Sequence, residues 1–291
     1  MPIGQRLFVK VTRDSLPQVK DKYPFLYLER GRLEIDGSSV KWIDSEANVV
    51  PLPVATLNAL LLGPGSTITH DAVKTVTAAN CAVCWVGEDC LLFYAAGFLP
   101  TADTRNLKAQ LSLSTNPQTS VEVARRMFSR RFPDADLCGK TLKEMMGMEG
   151  HRVRSLYQNK AEEYQVGWKG RKFTPGKFEF GDITNQVMTA SNAALYGILC
   201  SAVHSMGYSP QIGFIHSGSP LPFVYDLADL YKEYLCIDLA FALTRDMAGH
   251  YDKHKVSSTF RERVIEMNLL ARLAEDIPEM LGGKLARRSR K

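Results

Sequence analysis

Asp182 stands directly before residues 183–206, in which Ile183, Val187, Ala190, Ala194, Ile198 and Val203 recur at helical spacing. An aspartate there can accept a backbone N–H of the first turn, and the spacing predicts one long helix with a buried stripe. Ala190, Ser191, Ala193 and Ala194 are small enough for other helices to come close. Such an element is the central helix of an α-helical C-terminal domain.

Residues 24–97 follow a different rule. Apolar and polar positions alternate through FLYLERGRLEIDGSSVKWID, with Arg30-Gly31 and Asp36-Gly37 as hairpin signals, and CAVCWVGED and CLLFYAAG continue in short extended runs. Helical spacing takes over from Thr104. The expectation is an α+β chain: an N-terminal β domain over residues 1–99, a linker at 100–106, an α-helical catalytic domain over 107–278, and a basic tail at 279–291. That tail, which ends in KLARRSRK with five basic and no acidic residues, is expected to be disordered and to favour a polyanion.

Composition excludes several classes. With 45% apolar and 23% charged residues, the 291-residue chain is of ordinary globular type. No run is long and apolar enough to span a membrane, and the N-terminus lacks a signal-peptide core, so a cytoplasmic protein without membrane association is expected. Its six cysteines are then reduced thiols, and the Cys81/Cys84 pair, inside a Val/Trp-rich run, reads as buried core rather than half a zinc site.

Chemistry concentrates in IGFIHSGSPLPFVYDLADLYKE, residues 212–233. His216 lies in a Gly/Pro-punctuated loop, and a helix starting near Pro222 places Asp226 and Asp229 on one face. A further carboxylate, Glu149, sits beside Gly150 in a helix predicted over 142–165, where a glycine signals close approach of a backbone or a ligand. Basic residues surround these segments. Arg125, Arg126, Arg130 and Arg131 cluster on one helix, and GWKGRKFTPGKFEFGD interleaves Lys169, Arg171 and Lys172 with aromatic rings. Helices are also expected over 237–247 and 258–273, with HYDKHK between them as a polar loop.

If Glu149, His216, Asp226 and Asp229 converge, their oxygens and imidazole suit Mg²⁺ or Mn²⁺. A cation held by acids within a basic surface is what phosphodiester chemistry requires. The residues alone leave open a structural role for each, and a zinc hydrolase as well.

GMEGHRVRSLY, GDITNQVMTASNAALYG and IGFIHSGSPLPFVYDLADL, in that order, resemble the CRISPR-associated integrase that inserts new spacers, the universal adaptation nuclease of these systems. The likeness is greatest to subtype I-E members, runs from the N-terminal strands through the VGED turn to about Leu235, and weakens after Tyr234. It implies that Glu149, His216 and Asp229 hold the metal and that Asp226 supports them. It also implies a homodimer that acts on double-stranded DNA together with the small second CRISPR adaptation protein, in a heterohexamer. Ser219, where relatives often carry lysine, is a departure that concerns DNA contacts. The resulting expectation is a metal-dependent DNA integrase in which a prespacer 3′-hydroxyl attacks a phosphodiester. Arg152, Arg154, Lys169, Arg171, Lys172 and Lys232 are its candidate DNA-binding residues. A structure-selective nuclease on branched DNA and a catalytically silent DNA-binding scaffold are the alternatives.

Overall fold

The computed structural model describes residues 16–37, 39–87, 93–98, 103–172, 178, 181–247 and 249–282. Part of the VGED turn, part of the expected linker and residues 283–291 of the expected tail lie outside them, while the tail expected from 279 begins inside the last helix, which runs to Met280. Among these residues, eight strands form two four-stranded sheets. The first runs in the order β1 (Leu26–Leu28), β5 (Ala59–Leu62), β7 (Ala82–Val86), β8 (Phe93–Gly97), with β1, β5 and β7 parallel and β8 antiparallel. The second runs in the order β4 (Val49–Leu52), β3 (Ser39–Asp44), β2 (Gly31–Asp36), β6 (Ser66–Ile68).

The Asp36-Gly37 signal does close a hairpin, since β2 and β3 pair with Asp36 opposite Ser39. Arg30-Gly31 does not. There the chain leaves the first sheet for the second: Arg30 takes φ +57°, and Gly31 packs so tightly on β3 that a Cβ would lie 2.4 Å from both the Ile43 carbonyl and the Trp42 ring. The N-terminal part also holds a helix where only extended runs were expected. Helix α1 (His70–Ala78), capped by the Thr69 hydroxyl accepting the Ala72 N–H at 3.3 Å, packs against β2 and β7.

Helices make up the rest: α2 (Arg105–Thr115), α3 (Pro117–Arg131), α4 (Leu142–Tyr164), α5 (Ile183–Ser205), α6 (Pro222–Ala228), a π-helical turn (Glu233–Asp238), α7 (Leu239–Asp246), α8 (Lys253–Glu266) and α9 (Leu269–Met280). Asp182 caps α5 as expected, its carboxylate accepting the Asn185 N–H at 2.9 Å. The helix expected over 258–273 is two, broken at Asn268, whose φ of +54° no α-helix accommodates. The HYDKHK stretch is only half loop, because the Asp252 side chain accepts the His254 and Lys255 N–H groups and starts α8.

Strand period fixes how the layers meet. On the first sheet Ala59, Leu61, Ala82 and Cys84 face the helices, while Leu60, Leu62, Cys81 and Val83 pack with Leu33, Val40 and Trp42 of the second sheet and with Val76 of α1. Both cysteines are therefore core, and burial pushes the Cys81 thiol up to about 12. Helix α5 lies directly on this sheet: a Cβ at Gly197 would be 3.0 Å from Leu61, and the Ser201 hydroxyl donates to the Asn58 carbonyl at 2.8 Å.

Candidate metal centre

The loop between α5 and α6 is folded around one carboxylate. Asp226, on the inner side of α6, is fully buried; Oδ2 accepts the N–H groups of Phe214 at 2.6 Å and Ile215 at 3.2 Å, and Oδ1 that of His216 at 2.9 Å. A buried charge is tolerable only with such compensation. Gly213 makes the wrap feasible, because a Cβ there would lie 2.6 Å from Pro222 and 3.0 Å from Asp226 Oδ2.

The same carboxylate holds the His216 ring, with Nδ1 at 2.8 Å from Oδ1. A carboxylate only accepts, so Nδ1 carries the hydrogen and Nε2 is turned the other way. It faces Asp229 Oδ2 at 3.6 Å. The Asp226 hydrogen bond raises the His216 pKa against the opposing effect of burial, with Asp229 adding to the rise. The two aspartates thus sit on either side of one imidazole, on the shared helical face that their spacing predicts.

Asp229, the C-terminal cap of α6, has its other oxygen, Oδ1, taken by Lys232 Nζ at 2.9 Å. Burial alone would push that ammonium's pKa down, but the Asp229 charge and the Tyr196 hydroxyl raise it above its ordinary value. Tyr196 also lies under Lys232, at 5.1 Å, and stacks edge-on with Tyr225, which in turn meets the His216 ring at 6.1 Å.

Glu149 approaches from α4, across a guanidinium. Arg131, the last residue of α3, pairs through Nη1 with Glu149 Oε1, and the same nitrogen lies 3.6 Å from Asp229 Oδ2. Among the described residues no group of three or more His, Cys, Asp or Glu side chains is drawn together closely enough to hold a metal ion. The donor chemistry nevertheless fits one. Two carboxylates and an imidazole with its second nitrogen pinned border a place already filled by a cationic nitrogen.

Beside it runs a groove of about 950 Å³, lined by Arg131, Phe132, Glu149, Arg152, Asp229 and Lys232 among others. Arg152 lies over the Phe132 ring at 5.0 Å, and Arg154, Lys169 and Lys172 are exposed. Arg171 is exposed too, but its guanidinium is held by the chain, donating to Asn185 Oδ1 and Thr189 Oγ1, each at 2.9 Å. Lys232 is turned onto Asp229 rather than outward. No backbone approaches Gly150, whose Cβ position faces open space.

Sequence reasoning missed Arg131 as a member of the site, grouping it with Arg125, Arg126 and Arg130 on a basic face. Those three are tied to the Leu137, Lys140 and Met280 carbonyls and to Asp276. No spacing rule links Arg131 to a glutamate on another helix. The tyrosine pair was missed as well.

The order of strands and then helices is shared with solved structures of CRISPR-associated proteins. The crystal structure of the TtCas1-DNA complex superposes with a TM-score of 0.80 at 35% identity, over 92% of this chain and 94% of that one. The profile of the family described as CRISPR associated protein Cas1 matches residues 130–263. The CRISPR-associated endonuclease Cas1 2 of Chlorobaculum tepidum is 66% identical over 279 residues, 96% of this chain and 94% of that protein. The CRISPR-associated endonuclease Cas1 of Escherichia coli K12 is 32% identical over 263 residues, 90% of this chain and 86% of that protein. The chain belongs to the Cas1 family.

Proposed function

We propose that the chain is a metal-dependent DNA endonuclease and integrase of CRISPR adaptation, joining prespacer DNA to the array by transesterification. The observation that carries this reading is the His216 ring, pinned through Nδ1 by a buried carboxylate so that Nε2 is presented to Asp229, with Glu149 on the far side of the Arg131 guanidinium. Mg²⁺ or Mn²⁺ held by Glu149, His216 and Asp229 would activate an oxygen nucleophile and offset charge on the reacting phosphate.

Asp226 keeps one proton of His216 on Nδ1, so that the neutral ring offers a lone pair at Nε2. Lys232 occupies Oδ1 of Asp229 and leaves Oδ2 to the site. Arg152 and Arg154 on α4, with Lys169 and Lys172, supply positive charge along which a phosphodiester backbone is held. In the reaction a 3′-hydroxyl oxygen forms one P–O bond as another breaks, and the displaced strand leaves with a 3′-hydroxyl of its own. Names of relatives support nuclease chemistry, and a 35%-identical relative was solved with DNA. A homodimer working with the small second adaptation protein, in a subtype I-E setting, completes the proposal.

In a strand-transfer assay with Mg²⁺ or Mn²⁺, Asp229→Ala is expected to abolish joined product while duplex binding persists; undiminished transfer overturns the assignment. Counting joined against cleaved strands separates the integrase from a nuclease using water. The guanidinium between Glu149 and Asp229 is the one observation favouring a silent DNA-binding scaffold. Duplex binding with neither joining nor cleavage at any metal concentration decides for that reading.

A further inference from the structure

We propose that Arg131 is the resident cation of the site, that a divalent metal enters by displacing it, and that a DNA phosphate in the adjoining groove receives the displaced guanidinium. The inference rests on the metal reading above. Nη1 of Arg131 sits between Glu149 Oε1 and Asp229 Oδ2, on the side of Asp229 that also faces His216 Nε2. Its side chain is 12% exposed, and those of Glu149 and Asp229 are 16% and 11% exposed, so the three charges interact with little screening.

With Lys232 on the other oxygen of Asp229, the two carboxylates are already balanced by two cations. A divalent ion added to that set faces a guanidinium at contact range, and one of the two must leave. Arg125 and Arg126 are anchored to carbonyls, and Arg130, which lines the same groove, is held by Asp276, whereas Arg131 is held at the groove by Glu149 of the site itself. Its guanidinium already lies 4.9 Å from the Phe132 ring, whose neighbour at 5.0 Å is Arg152. A phosphate lying between Arg131 and Arg152 can take over the charge-assisted pairing that the carboxylates give up.

The arrangement couples cofactor to substrate. A duplex that draws Arg131 outward tightens metal binding, and metal tightens the duplex by the same factor. Without DNA the site stays charge-balanced and weakly metallated.

The test is Mn²⁺ titration of the full chain, reading free Mn²⁺ by electron paramagnetic resonance, with and without a short duplex. Arg131→Gln is expected to bind Mn²⁺ at least about tenfold more tightly than wild type without DNA. The duplex is expected to tighten Mn²⁺ binding in wild type and to add little in the variant. Equal or weaker affinity in a variant whose circular dichroism melt is cooperative, or undiminished coupling to the duplex, overturns the proposal. Should Arg131→Gln not fold, Arg131→Met, which keeps much of the aliphatic stem but removes the charge, is expected to shift affinity in the same direction, and no shift overturns it equally. Asp229→Asn separates the two levels: Mn²⁺ binding that survives this change defeats the metal reading itself. Binding lost there but unaltered by the Arg131 variants defeats only the inference about Arg131.

Discussion

At the scale of single residues, the site depends on Asp226, which touches neither solvent nor the groove. Three backbone N–H groups and the His216 ring all point at its two oxygens. An amide in its place would turn an NH₂ toward donors. Asp226→Asn is therefore expected to lower stability by about 3 kcal/mol in urea unfolding. It should also free the His216 tautomer, visible as a change in the ring nitrogen shifts, and unchanged shifts would show that some other group holds the ring. Much of this was legible from residue types. A histidine in a loop of glycines and prolines, followed by two aspartates three apart on one face of a helix that starts near Pro222, marks the segment, although the folding of that loop onto Asp226 is not in the pattern. What could not be read is Arg131, since its pairing with Glu149 depends on how α3 and α4 cross and not on any local pattern. Gly150 misleads for a related reason: a helical glycine signals room, but only the assembled structure says that no neighbouring backbone of the chain uses it.

At the scale of elements, the π-helical turn Glu233–Asp238 sets the direction in which the chain leaves the site. Lys232, just before the turn, pairs with Asp229 at ordinary helical spacing, and beyond the extra residue Asp238 reaches across to α4 and α8. Asp238 Oδ1 accepts Lys160 Nζ at 2.7 Å and the Tyr164 hydroxyl at 3.0 Å, and Oδ2 accepts Arg263 at 2.8 Å. Burial pushes its carboxyl up, yet the hydrogen bonds from Lys160, Arg263 and Tyr164 outweigh that and hold it below its ordinary value. A pKa depressed in the fold means stabilisation that is complete above the unfolded carboxyl pKa, near about 4, and lost as pH falls through the folded one. Asp238→Asn should cost about 2 kcal/mol at neutral pH, and thermal melts of variant and wild type should converge below about pH 4. A constant gap down to low pH would rule out the carboxylate as the clamp. Helical periodicity reads α4, α5 and α6 well, because each keeps one period from cap to cap. It also reads the helix expected over 237–247, which α7 fills from Leu239, but it misses the π turn before it and the break at Asn268, where the phase resets.

At the scale of the whole molecule, the first sheet belongs to two cores at once. Its alternate residues serve the helices on one side and the second sheet with α1 on the other. A fragment spanning residues 103–282 is accordingly expected to expose the sheet-facing side of α5 and to melt without a cooperative transition while binding a hydrophobic dye. A sharp, dye-silent melt would mean that the helices close a core by themselves. The order of strands then helices is legible from the change in hydrophobic period. The double duty of the sheet is not, because short apolar strands buried on both faces lose the alternation that would reveal it. Gly197 resting on Leu61 gives this a historical consequence. An exchange of the N-terminal third between distant relatives would part residues that have been fitted to each other, so the lineage can drift in these strands only as fast as α5 drifts with them. The Leu61 and Gly197 positions should then carry a shared record of substitution across the family.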